Sequence, residues 1–178
     1  PVRIVFEDAH IHGVEAERIA FMLRSQKNRL FVEEARLDFQ TPRFRERLDG
    51  ELTFDFKERR LQARAAGTLT PDVVEELCLT LDGKQAVKVM RLFGEPVAPM
   101  SVSGSLLIEP QGAAETPWLY DMRLSLQSPA IQFRGVPLDS LRLALQWYRH
   151  GQDRKLTVAP ITATTAEGQV EMAVAWHP

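Results

Sequence analysis

The chain reads as a mostly β (α+β) protein: an antiparallel, strongly curved or sandwich-like sheet of about ten strands, built from two repeats, with a helical hairpin inserted between them. Three observations predict this. Apolar residues recur at every second position in segment after segment, as in Leu52, Phe54, Phe56 and in Leu141, Leu143, Leu145. That is the period of a strand with one apolar wall. Arg, Glu, Asp and Thr fill the alternate places, which suits an antiparallel sheet with one wet face and not a parallel sheet buried on both. Third, the text recurs. Gly13-Val14 is echoed by Gly135-Val136, and Ile19, Phe21, Leu23 by Leu141, Leu143, Leu145. Leu30 and Val32 match Leu156 and Val158. Gly50 precedes Leu52, Phe54 and Phe56 as Gly168 precedes Val170, Met172 and Val174. Self-similarity of this kind marks a repeated structural unit.

The elements follow in order. Val2 to Ala9 is a strand with Ile4 and Phe6 on one face. Glu17 to Ser25, Arg29 to Phe39, Glu51 to Phe56 and Leu61 to Gly67 continue the pattern. The basic stretch Thr41 to Arg47 reads as a loop. At Thr70 the rhythm changes. Thr70-Pro71-Asp72 is a helix start: a capping hydroxyl, a proline at the first helical position, and an acid at the positive end of the dipole. Val73, Val74, Leu77, Cys78 and Leu81 follow at helical spacing, and Asp82-Gly83 breaks the run. A second helix is expected over Lys84 to Phe93, with Val87 and Met90 inward and Gly94 at its left-handed cap. Strands resume over Val102 to Ile108. Pro110 to Pro117 is a loop, Leu119 to Gln127 a strand, and Ser128-Pro129 an interruption. Leu138 to Tyr148 follows, then a turn at His150-Gly151, then Lys155 to Ala159 and Gly168 to Trp176. The whole is a single domain over 1–178, with repeat-like text in 1–67 and 119–178 and the helical insert over 70–94.

The totals exclude some classes. The chain has 178 residues, 44% hydrophobic and 26% charged, enough apolar content for a packed core and too much for disorder. A net charge of -2 supplies no general pull toward nucleic acid or anionic lipid. One cysteine, Cys78, allows neither an internal disulfide nor a thiolate zinc site. No apolar run approaches the roughly 20 residues of a membrane-spanning helix. A start at Pro1, with no signal-like segment, is expected of a piece of a longer chain.

Candidate chemistry is sparse. Asp8-Ala9-His10-Ile11-His12 sets two imidazoles on one face of a strand end, a spacing that suits a metal. It is similar to the first metal motif of the amidohydrolases. Those enzymes need a (β/α)₈ barrel of about 250 residues, and only His150 and His177 remain elsewhere in this chain. A solvated strand end is the simpler account, and no metal, cofactor or catalytic residue is expected. Glu33-Glu34 and Glu75-Glu76 are paired in sequence without an evident pocket, and Cys78 sits among apolar helix positions. Phosphate-binding glycine loops and the Gly-x-Ser-x-Gly elbow are both missing from the sequence. Arg43, Arg45 and Arg47 are diluted by Glu46 and Asp49, so nucleic acid is not expected as a partner. The apolar stripes suit either a sandwich core or an apolar wall in contact with acyl chains.

The stretch Gly13-Val14-Glu15-Ala16-Glu17-Arg18-Ile19, the following Leu30-Phe31-Val32 and the strand near Gly50 resemble the repeats of the AsmA-like, TamB-like bacterial envelope proteins. Phe133-Arg134-Gly135-Val136-Pro137-Leu138-Asp139-Ser140-Leu141 matches the same pattern, and such text covers about two thirds of the chain. The helical insert is not part of it. The resemblance implies a repeating β-groove that shelters lipid tails, on the periplasmic side of the inner membrane, with the anchor outside this chain. It implies a non-enzymatic role in lipid transport or envelope assembly, with lipid or acyl chains and neighbouring repeats or envelope proteins as partners. Under that reading Leu52, Phe54, Phe56, Leu141, Leu143 and Leu145 are the lipid-facing candidates. A β-sandwich interaction module without ligand, docking by strand addition, is the first alternative, and a metal-dependent hydrolase the second.

Overall fold

The computed structural model describes residues 1–11, 14–40, 43–80, 91, 98–110, 118–151 and 153–176. The strands are β1 (Val2–Ile11), β2 (Val14–Gln26), β3 (Arg29–Gln40), β4 (Arg45–Asp55), β5 (Arg60–Leu69), β6 (Met100–Pro110) and β7 (Trp118–Ser128), then β8 (Ile131–Phe133), β9 (Val136–Leu138), β10 (Ser140–His150), β11 (Asp153–Thr165) and β12 (Gly168–Trp176). A helix, α1 (Pro71–Thr80), lies between β5 and β6. Ten strands form one antiparallel sheet in the order β1-β2-β3-β4-β5-β6-β7-β10-β11-β12, and β8 pairs only with β9. Each strand of the large sheet lies beside its chain neighbour, with β8–β9 standing apart from the order. The sheet does not close, so β1 and β12 are its two edges. The sandwich expectation gives way to one sheet.

Register decides which residues share a wall. Leu52 faces Val32 and Ala63, Ala63 faces Leu106, and Leu106 faces Met122. Met122 faces Trp147, which faces Leu156. This apolar row therefore crosses seven strands on one face. A slip of one residue would put the whole row in water. On the opposite face the charges pair across strands: Arg24 with Glu33 at 2.6 Å, Arg29 with Asp55 at 2.8 Å, Arg60 with Glu109 at 3.2 Å. Such exposed pairs add little stability, but each is consistent with one register only.

The core is densest at one end of the apolar face, and on β10 and β11 it continues through Leu145, Leu156 and Val158 toward the other. Leu69, Met100, Val102, Leu126, Leu141 and Leu143 are buried at the dense end, together with Val73 and Val74 of α1 and Ile131 of β8. Helix α1 starts as the sequence predicts: the Thr70 carbonyl accepts the first helical hydrogen bond from the Val74 N–H at 3.1 Å. The Thr70 hydroxyl, however, donates to Glu46 at 3.0 Å, and the Thr70 N–H donates to the same carboxylate at 2.5 Å. Glu46 is buried. The stretch expected as a loop through Arg47 is strand from Arg45 onward, because Glu46 has this inward bond to make and Asp49 takes Arg47 at 2.9 Å. The expected second helix over Lys84 to Phe93 and its cap at Gly94 lie outside the described residues, apart from Arg91, which pairs with Glu75 at 2.7 Å.

One pair of matched positions carries the same feature in the sheet, whereas the glycine matches do not correspond. Against β4, β3 slips register between Val32 and Ala35, and Glu34 has a positive φ of 52°. Against β12, β11 slips between Val158 and Ile161. Val32 and Val158 are matched positions of the repeat, so each copy carries a bulge just after the same valine. The glycines do not correspond: Gly50 faces Ala35 and Ala65 in mid-strand, whereas Gly168 opens β12 opposite Thr165. Pairing instead equates Leu52, opposite Val32, with Val174, opposite Val158. Gly135-Val136 belongs to the β8–β9 hairpin, outside the large sheet. The break expected at Ser128-Pro129 is the entry to that hairpin, and Leu138 to Tyr148 divides into β9 and β10.

Candidate functional site: two faces of an open sheet

The apolar face has a closed end and an open end. Helix α1 and the β8–β9 hairpin pack onto the closed end, adding Val73, Val74, Ile131 and the partly buried Leu138. At the other end the strands finish in the row Leu30, Phe54, Leu61, Ile108, Tyr120. These residues are half-buried. Aromatic contacts shape this rim: Phe54 and Phe56 meet edge to face at 4.9 Å, and Tyr120 and Trp147 are 6.2 Å apart. Arg59 stacks over Trp118 at 4.9 Å, and Arg149 over Tyr120 at 5.8 Å.

The six candidate wall residues share a face but not an environment. Leu52 and Phe54 are half-buried near the open end, and Phe56 is 56% exposed. Leu141, Leu143 and Leu145 are no more than 3% exposed and belong to the packed core. A ligand can therefore touch the first three as they stand, and the last three only by displacing their neighbours.

The polar face has its own concavity. A trough of about 1140 Å³ crosses the strands from β3 to β11, with Glu33, Glu34, Asp49 and Glu51 at one end and Ala144, Gln146, Thr157 and Ala159 at the other. Its middle is floored by small residues, Ala66, Ser103, Ser105 and Ser125, between Arg64 and Arg123. The bulges at Glu33-Glu34 and at Ala159-Pro160 lie at its two ends, as expected where a bulge bends a strand. Arg24 donates to Glu33 and holds its carboxyl below the usual carboxylate range, while Glu33 raises Arg24. Asp55, the last residue of β4, is lowered first by the Glu58 backbone N–H and then by Arg29. Sequence reasoning missed this trough. Its signal was two bulges at one place in the repeat.

The catalytic candidates do not converge. His10 is exposed near the closed end of β1, and His150 ends β10 at the open end. His12 and His177 lie outside the described residues. Among the described residues no three of His, Cys, Asp and Glu come together. Glu75 is half-buried and engaged by Arg91; the side chain of Cys78 is outside the described set. No described helix is long and apolar enough to cross a membrane. Comparison with family models, with curated proteins and with solved structures returns no match.

Proposed function

We propose that this chain is a non-enzymatic segment of a bacterial envelope protein that handles lipid through the apolar face of its sheet, on the periplasmic side of the inner membrane. One observation carries the reading. The apolar wall is continuous across the sheet, yet it is sealed by α1 and the hairpin at one end and half-exposed at the other. Phe54, Leu61 and Ile108 stay partly open to water in one contiguous apolar row, and such a patch marks a surface that something else covers. An acyl chain laid there gains about 0.8 kcal/mol per buried CH₂. The resemblance to AsmA-like repeats points the same way.

The test is extraction of the purified protein with organic solvent, followed by lipid mass spectrometry and titration with a fluorescent fatty acid. The expected result is co-purified phospholipid or fatty acid, with uptake lost in Phe54→Asp while the far-ultraviolet spectrum is unchanged. A lipid-free protein that also fails to take up the probe would overturn the proposal. A second reading is favoured by the edges. Val2, Val5 and Phe6 on β1, and Val170 and Met172 on β12, are large apolar side chains at least 40% exposed. Unpartnered strands of this kind pair with other strands, so an interaction module without ligand would show concentration-dependent association and no lipid.

A further inference from the structure

The five residues best suited to a water–lipid boundary are all at one end of the sheet. The chain has three Trp and two Tyr. Trp118 and Tyr120 begin β7, Trp147 and Tyr148 approach the end of β10, and Trp176 is paired with Leu156 near the start of β11. Antiparallel order brings these strand ends together, along with the C-terminal ends of β2, β4 and β6. This is the open end of the apolar face. The α1 end has no Trp or Tyr.

Charge is sorted the same way. Lys27 and Arg29 flank the β2–β3 connection, Lys57, Arg59 and Arg60 the β4–β5 connection, and Arg149, Arg154 and Lys155 the β10–β11 connection. The acids beside them are Asp55, Glu58, Glu109, Asp153 and Asp121, the last level with Lys155 across Tyr148. Among the described residues, basic side chains thus outnumber acidic ones eight to five at this end of a chain whose net charge is -2. Two of the arginines lie over Trp118 and Tyr120, which keeps ring and guanidinium in one patch.

We propose that this end of the sheet docks on the surface of an anionic phospholipid bilayer. Trp and Tyr rings suit the headgroup level, where one side of the ring is apolar and the other wet. Lys and Arg beside them are drawn to the negative surface. Exposed Phe56 and half-buried Phe54 and Trp118 lie at the same level and can enter the acyl boundary. The proposal goes beyond lipid handling, because it rests on the distribution of aromatic and basic residues and not on an occupied wall.

The test is flotation of the whole chain with vesicles of phosphatidylcholine alone and of phosphatidylcholine mixed with phosphatidylglycerol. Binding is expected to the mixed vesicles only, weakening as salt is raised. Arg59→Ala together with Arg149→Ala should lower partitioning about 25-fold, at about fivefold per cation. Arg134→Ala, in the hairpin at the other end, should leave it unchanged. Tryptophan fluorescence of the wild-type protein should be quenched by bromine-labelled acyl chains, a readout that needs no variant. A folded protein that ignores anionic vesicles, or that loses binding equally in Arg134→Ala, overturns the proposal. Salt-sensitive binding without quenching overturns the insertion of the aromatic rings and leaves a contact made by charge alone. Fatty-acid uptake without vesicle binding sinks docking alone, and vesicle binding without uptake sinks lipid handling alone.

Discussion

Leu143 and Phe54 stand on one apolar face and should respond to truncation in different ways. Leu143 is 2% exposed and faces Leu126, also 2% exposed, across β7 and β10. Leu143→Ala removes a fully packed side chain and leaves a cavity, for a loss of about 3 to 4 kcal/mol. At this chain length that lowers Tm by about 10 °C. Phe54 is half-buried, and its firm contact is the edge-to-face meeting with Phe56 at 4.9 Å. Phe54→Ala forfeits that pair, about 1 kcal/mol, and part of a ring's burial, for about 2 kcal/mol in all. Urea unfolding followed by circular dichroism measures both, with an unchanged m-value showing that the folded state is intact. Asp sharpens the contrast. At position 143 it buries an unpaired carboxylate and the fold is lost, whereas at position 54 water reaches the carboxylate and the fold survives. If Phe54→Ala costs as much as Leu143→Ala, or if Phe54→Asp unfolds the chain, the division into a sealed and an open end is wrong.

Further outcomes follow from the same contacts. Glu46→Ala strands the N–H and hydroxyl of Thr70 in a buried site and should cost about 3 kcal/mol or more, whereas Glu46→Gln keeps an acceptor and costs about half as much; amide exchange in α1 distinguishes this from a global effect. A Cβ on Gly67 would lie 1.9 Å from the Arg47 carbonyl oxygen, on Gly50 2.8 Å from that of Arg64, and on Gly104 3.1 Å from that of Arg123. Alanine should therefore destabilise in the order 67, 50, 104, with Gly67→Ala costing about 3 kcal/mol or more by thermal melting. Asp55 has a depressed carboxyl, so its contribution is present above the ordinary Asp pKa of about 3.9 and is lost as the pH falls through its lower folded value. Proton exchange of the Lys57 and Glu58 amides, which donate to Asp55 at 3.0 Å, should quicken in that acid window, and in Asp55→Ala at every pH.

The strands were legible because period two is a local signal. Each turn from apolar to polar wall is written in adjacent residues, so β3, β5, β6 and β7 could be placed within a few positions. Helix α1 was legible from Thr70-Pro71-Asp72, since capping chemistry is also local. What was missed is non-local. Nothing adjacent to Glu46 says that its partner is Thr70, so a buried acid was read as part of a charged loop. The hairpin β8–β9 has three residues per strand, too few to show a period. The choice between sandwich and single sheet depends on which strands become neighbours, and alternation is the same in both. The aromatic end was hidden for a related reason: Trp118, Trp147 and Trp176 are far apart in sequence, and only antiparallel order gathers them.

The two bulges bear on how one sheet can present two different surfaces. A flat antiparallel sheet of this width would offer an apolar plane and a polar plane, each equally open along its length. A bulge in mid-strand inserts backbone on one side of the pair and bends the strand there. With bulges in β3 and β11, at matched positions of the repeat and at opposite ends of the trough, the bend spans the intervening strands instead of staying local. The small residues between them, Gly50, Ala65 and Gly104 on one face and Ala66, Ser103 and Ser125 on the other, let the backbones follow it: a bulky side chain at Gly50 would meet the Arg64 carbonyl. Straightening either bulge should therefore change both faces together. Deleting Glu34 leaves Val32 opposite Leu52 and Ala35 opposite Gly50 in ordinary alternation, so the bend is removed without any side chain of β3 changing face. Leu30, Val32, Leu37 and Phe39 then all keep their partners on the apolar face, and only the bend is lost. If the bulge is only a local defect, that deletion costs about 1 kcal/mol or less, within the usual range of single changes, and leaves lipid uptake intact. If the bulge sets the geometry of both walls, stability and uptake fall together, and Ala insertion after Glu33 does not restore them unless the left-handed backbone at Glu34 is also recovered, which Gly at that position would allow.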